Sequence, residues 1–116
     1  MRKRSGAGSL SERIRFLQPD EIEDGEGGTT IGYVERFVEP ARMQPRVGGE
    51  AVQASRLAGL QPFTMTVRSS DRTRAVTPQW RAVNVRTGIG YNIKSAVNID
   101  ERNQWIELLV VAGEAG

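Results

Sequence analysis

The segment YNIKSAVNIDERNQWIELLVV, residues 91–111, narrows the choice of fold more than any other part of this chain. Two apolar-rich runs flank the polar connector NIDERNQW, and β-branched and aromatic residues are frequent in both. Such runs, joined by a short polar segment, read as two antiparallel strands and the turn between them. The connector holds Asp100, Glu101 and Arg102 in succession, an arrangement that is also open to reading as an acid pair with an electrostatic partner. A catalytic carboxylate needs burial or a charged neighbour to bring its pKa towards working pH. A hairpin connector offers exposure instead, and Asn98 and Asp100 suit a turn because their side chains hydrogen-bond nearby backbone. The cluster therefore reads as a structural hairpin turn, with Trp105 opening the strand that follows it.

The remainder of the chain extends the same pattern. In SERIRFLQP, Ile14 and Phe16 alternate with Arg13 and Arg15, which predicts a half-buried strand ending at Pro19. The acidic, Gly-rich stretch to Thr30 reads as a loop or hairpin tip, and IGYVERFV predicts a second strand over about 31–38 that stops near Pro40. A long crossover, Glu39 to Gln61, contains one short helix at about Gly49 to Ala58, ended by Gly59. PFTMTVRS alternates Phe63, Met65 and Val67 with Thr64, Thr66 and Arg68 and predicts a third strand. SDRTRAVTPQ is a connector; WRAVNVR, GYNIKSAVN and QWIELLVV supply three more strands, with TGIG as a tight turn between the first two. The order β-β-α-β-β-β-β predicts a mainly β fold, a small antiparallel six-stranded barrel or sandwich with one short helix in a long crossover loop. The expected organisation is a flexible basic arm over 1–11, a single domain over 12–111 and a flexible tail over 112–116.

Composition bears on function mainly by exclusion. The chain has no cysteine and no histidine, which removes disulfides, thiolate metal sites, the commonest metal ligand and the commonest general base. No metal, cofactor or catalytic group is expected. No apolar run approaches the roughly 18 residues of a membrane span, and the basic opening MRKRSGAGSLSER lacks the apolar stretch of a secretory signal. TGIG and GEGG lack the spacing and following helix of a phosphate-binding loop and read as turns.

Charge is segregated. Residues 1–18 carry five Arg or Lys against one Glu, whereas residues 19–28 carry five acids, Asp20, Glu21, Glu23, Asp24 and Glu26, and no base. That division suits complementary subunit surfaces or a basic arm beside a polyanion, and equally a frayed terminus and a solvated loop. Arg68, Arg72, Arg74 and Arg81 form the densest basic patch of the body, while Arg42, Arg46 and Arg56 decorate the crossover. Such residues can touch phosphates without reading bases, or make ordinary surface ion pairs. Trp80 and Trp105 suit core or interface anchors better than base-stacking platforms, since no strand alternates exposed aromatics.

With these residues in place, the chain resembles the bacteriophage head–tail joining, or head-closure, proteins, a family that includes adaptors of gene transfer agents. The strand ending in LQP, the Gly-rich hairpin, the run into VEP and the helix before TMTVR all follow its pattern. So do VTPQWRAV and the final hairpin, in which Tyr91 and Ile93, Asp100 and Arg102, and Trp105, Glu107 and Leu108 occupy the expected places. The resemblance spans roughly residues 10–111; the Ala-rich polar crossover and the WRAVNVR strand depart from it. It implies a virion protein, assembled in the host cytoplasm, that forms a homo-oligomeric ring of usually twelve copies. The ring lies between the portal or adaptor above and the tail proteins below, continues the channel for packaged double-stranded DNA and helps close it. On that reading Arg42, Arg46 and Arg56 are candidates for the channel or an interface. The five acids of 19–28 are candidates for contact with a neighbouring subunit. The competing readings are an OB-like nucleic-acid-binding barrel, a tail-terminator or tail-tube ring, and, resting only on Asp100 and Glu101, a carboxylate hydrolase.

Overall fold

A computed structural model describes residues 10–46, 48–57, 59–98 and 104–112. Six strands form a closed antiparallel barrel: β1 (Glu12–Glu23), β2 (Thr29–Pro45), β3 (Gln61–Arg68), β4 (Arg81–Asn84), β5 (Gly90–Asn98) and β6 (Trp105–Ala112). The order around the barrel is β1-β2-β3-β6-β5-β4, and β1 closes it by pairing with β4, Leu17 opposite Arg81 and Ile14 opposite Asn84. An eight-residue helix, α1 (Glu50–Leu57), lies between β2 and β3, and a single helical turn, α2 (Asp71–Arg74), between β3 and β4.

Period-two alternation places the core. Ile14 and Phe16 of β1, Met65 and Val67 of β3, Ala82 of β4, Ile93 of β5 and Ile106, Leu108 and Val110 of β6 all point inward and are buried. Phe16 and Phe37 stack with ring centroids 5.1 Å apart, and Phe37 meets Trp80 at 6.1 Å. Closure removes every open sheet edge over the barrel itself, which is how a small all-β chain avoids edge-to-edge association.

The expected six-stranded architecture with its short helix is what the chain adopts, but the ends of two strands and one connector differ. β1 does not stop at Pro19, and β2 continues through Pro40 to Pro45, so the acidic loop shrinks to residues 24–28 and the crossover to residues 46–60. Proline ends a strand only where its missing N–H leaves a ladder gap. At Pro19 the flank of β1 away from β2 has no partner, because β4 pairs only with residues 14–17. Pro40 likewise precedes Ala41, the first residue of β2 that pairs with β3. The connector after β3 is not irregular throughout, since Ser70 caps α2 by accepting from Thr73 N while the Thr73 hydroxyl accepts from Ser70 N. That reciprocal pair satisfies two backbone donors at once.

As a result, the outer half of β1 and β2 leaves the barrel as a two-stranded ribbon, with Gln18–Glu23 facing Thr29–Val34 and, among the described residues, no third strand on either side. At about 3.3 Å per residue, six residues of strand carry it about 20 Å beyond the rim. The molecule is correspondingly elongated, 58 × 35 × 27 Å.

Candidate functional site: the ribbon and the outer barrel face

The geometry of the ribbon turns on one extra residue. Phe16 pairs with Phe37, but Leu17 pairs with Glu35, which leaves Arg36 as a bulge in β2. A bulge changes which residues share a face. Below it, the odd residues of β2 lie with Ile14 and Phe16, so Phe37 packs on the core. Beyond it, Gly32 and Val34 continue that side with Gln18 and Asp20, while Ile31 and Tyr33 move to the outer side, opposite Glu21 and Pro19. Ile31 is consequently 65% exposed and Tyr33 43% exposed, although both are odd-numbered like Phe37. The bulged Arg36 spans the inner side, its Nε donating to Gln18 at 2.9 Å and its Nη2 to Asp20 at 2.8 Å. The Ile22 side chain packs over Gly32, its Cδ1 2.2 Å from where a β-carbon would stand, so a larger residue there would make the Ile22 side chain move.

The five acids of this region divide by role. Asp24 organises the tip: its Oδ1 accepts from Glu26 N at 2.8 Å and Gly28 N at 3.1 Å, while Gly25 and Gly27 supply positive φ. Asp20 is paired with Arg36. Glu21, Glu23 and Glu26 carry no ion pair among the described residues, and all three are exposed.

Of the three crossover arginines, Arg42 proves to lie within β2, whereas Arg46 is the first residue of the crossover that follows it. They share the outer side of the barrel by alternation. Arg46 is tethered, its backbone N–H donating to Pro62 O at 2.9 Å and its Nη1 to Thr64 Oγ1 at 3.1 Å. Arg42 is half-buried, and its Nε has no hydrogen-bond partner among the described residues. Arg56 stands apart, exposed in the last turn of α1. Gly49 and Gly59 bracket that helix with φ of 86° and 82°.

The densest basic patch of the sequence is largely engaged within the chain. Arg68 lies over Trp105 at 5.1 Å, Arg72 over Phe37 at 5.0 Å and Arg81 over Tyr33 at 5.5 Å. Arg72 also caps the buried Glu39 at 3.1 Å, and Arg74 binds Asp71 and Ser69. Trp80 is a core residue, whereas Trp105 is only half-buried, so the two tryptophans form no shared stacking platform. Asp100, Glu101 and Arg102 lie outside the described residues, as do residues 1–9 and 113–116.

Among the described residues two titrating groups are perturbed, both at the barrel end where β1 meets β4. The Glu12 carboxylate is held below its ordinary range by hydrogen bonds from Asn84 at 3.1 Å and Arg86 at 3.0 Å. Burial pushes the Tyr91 phenol above its ordinary value, and the nearby Glu12 charge adds to the shift. The first shift reflects hydrogen bonds that tie β1 to the end of β4, and the second reflects the cost of ionising a buried phenol. Among the described residues no group of acidic side chains could hold a metal ion, and no helix is long and apolar enough to cross a membrane.

The fold and its surfaces therefore define a small barrel whose distinctive features are exposed surfaces: a ribbon with apolar and acidic side chains, and an outer wall that carries Arg42 and Arg46. Residues 6–113 match the profile of the phage head completion proteins; the chain belongs to that family and is a structural protein of the phage head. No curated protein matches it significantly. Among solved structures, a chain of the virion of a native gene transfer agent particle superposes with a TM-score of 0.60 at 18% identity, covering 89% of this chain and 94% of that one. Protein SF1141 from Shigella flexneri 2a superposes with a TM-score of 0.69 at 15% identity, covering 96% and 99%. At these identities the likeness is one of fold.

Proposed function

We propose that this protein forms the ring that joins the portal or its adaptor to the tail, and that the ring helps to close the exit channel on packaged double-stranded DNA. Membership of the head completion family carries the reading. Three properties of the chain support it. Over the barrel itself closure leaves no open edge, so among the described residues open strand edges are confined to the ribbon. The ribbon and the outer wall are different surfaces of unlike charge, which suits head-to-tail contacts that close into a ring, twelve-fold in this proposal. The exposed Arg56 and the outer-wall Arg42 and Arg46 are placed to meet phosphates or a neighbouring subunit without base selectivity. In this reading residues 12–111 act as one unit, with 1–11 and 112–116 as appendages.

The test is removal of the gene from a producing phage or gene transfer agent. The expected outcome is filled heads that lose DNA and accumulate beside unjoined tails, with joining restored by added protein. Normal, DNA-retaining particles without the protein would contradict the proposal.

A further inference from the structure

The ribbon's outer side has a counterpart on the barrel wall of the same chain. Across β2, β3, β6 and β5 the register aligns two outward rows: Arg42, Thr66, Glu107 and Val97, then Gln44, Thr64, Leu109 and Ser95. Between them is a shallow groove of about 290 Å³, lined by Arg46, Thr64, Ser95, Val97, Glu107 and Leu109. Val97 is 54% exposed and Leu109 half-buried, so the groove has an apolar floor. Arg42 and Arg46 flank it with no carboxylate partner among the described residues, two guanidiniums against the single acid Glu107. Arg42 and Thr66 pair across β2 and β3, and Arg42 Nε and Thr66 Oγ1 are both buried without a hydrogen-bond partner among those residues. Native proteins leave few such groups unsatisfied, so this row is short of polar partners in the isolated chain.

The ribbon offers the complement. Ile31 and Tyr33 form an exposed apolar pair, and Glu21, opposite Ile31, and Glu23 share their side without ion-pair partners among the described residues. We infer that the outer side of the ribbon seats on the outer wall of a second copy of this chain, Ile31 and Tyr33 against Val97 and Leu109, Glu21 and Glu23 beside Arg42 and Arg46. The inference deepens the ring reading and rests on it. The two surfaces differ, so each copy uses its ribbon on one side and its wall on the other, a contact that propagates in one direction and can close. A reach of about 20 Å takes the ribbon off its own barrel and onto a neighbour.

The chain has no cysteine, which makes a disulfide test clean. Ile31→Cys and Val97→Cys are introduced together and separately, and the proteins oxidised both in assembled particles and as concentrated purified chain. A disulfide requires Cα atoms within about 7 Å. The expected result is a ladder of covalent multimers from the double variant and none from either single variant. Arg46→Glu in that background should weaken association about three- to ten-fold, with recovery on adding Glu21→Arg and Glu23→Arg. Multimers in the purified chain sustain the contact even if particles prove to lack the protein, a result that would sink the ring's location alone. Monomers in both preparations overturn the contact. So does a bond between two Ile31→Cys chains, which would mean ribbon against ribbon, or a bond from Ile31→Cys to a portal or tail protein.

Discussion

The lower and upper halves of β1 and β2 have similar local sequences but opposite fates. Within the barrel, Ile14, Phe16, Phe37 and Ala41 meet partners from four other strands and form the core. In the ribbon, Ile22, Ile31 and Tyr33 lie 40%, 65% and 43% exposed, because among the described residues no third strand or second layer covers them beyond the Arg81 guanidinium over Tyr33. A two-stranded hairpin has little stability of its own in water. The ribbon is therefore held by its continuity with the barrel, by the Arg36 bridge and by the tip turn at Asp24, and its apolar side chains contribute little to folding. The barrel carries the stability, and the ribbon carries exposed apolar and acidic side chains.

The difference is sharpest for Trp80. Its indole is buried against Phe37, so Trp80→Ala should cost about 3–5 kcal/mol through lost burial and the cavity left behind. Denaturant titration measures this; an unchanged midpoint would break the assignment of the barrel end as core. Trp105→Ala should cost less, about 1–2 kcal/mol, since the side chain is half-buried and its main specific partner is the exposed guanidinium of Arg68. If the two substitutions cost the same, the core does not end where the structure places it.

Acid should weaken the barrel at one identifiable place. The folded pKa of Glu12 is depressed, so its contribution is present above the ordinary carboxylate value of 4.5 and is lost as pH falls towards the folded value. Stability of Glu12→Gln should therefore fall less steeply than wild type across that interval. Tyr91 acts at the other extreme: its pKa is raised, so its contribution is intact below 10.0 and is lost as pH rises through the folded value. Parallel acid profiles for wild type and Glu12→Gln would deny Glu12 its role in closing β1 onto β4.

The smallest effect on folding belongs to the ribbon. Replacing Asp20, Glu21, Glu23, Asp24 and Glu26 by their amides, or Ile31 and Tyr33 by serine, should each leave stability within about 0.5 kcal/mol per site, as for exposed positions generally. Asn at position 24 keeps the oxygen that organises the tip. Assembly into particles should nevertheless be impaired by either set. A large loss of stability would mean that the ribbon supports the barrel; normal assembly would mean that it is only solvated.

Much of the barrel was legible in the sequence because period-two burial is a local signal. β3 and β5 were bounded to within a residue or so by PFTMTVRS and GYNIKSAVN, and β6 began at Trp105 as the pattern predicts. The ribbon was not legible, for a reason that is not local. Pro19 and Pro40 break a strand in the interior of a sheet but are tolerated where a flank has no partner, and which flank is free depends on β3 and β4. The bulge at Arg36 was equally hidden, since only the pairing register reveals that Tyr33 and Phe37 face opposite ways. Arg42 reads as a crossover residue in the sequence but lies in β2, and the wall that it and Arg46 share with Val97 and Leu109 comes from four strands distant in sequence. α2 was missed because its cap uses Thr73 where a glutamate is the usual signal.

An image of the intact particle at a resolution sufficient to dock this barrel tests the central claim most directly. The account predicts a closed ring of copies between portal and tail, with each ribbon lying on the β2–β3–β6–β5 wall of the next copy. Barrels located elsewhere in the virion, or a ring whose ribbons contact only other proteins, would contradict it.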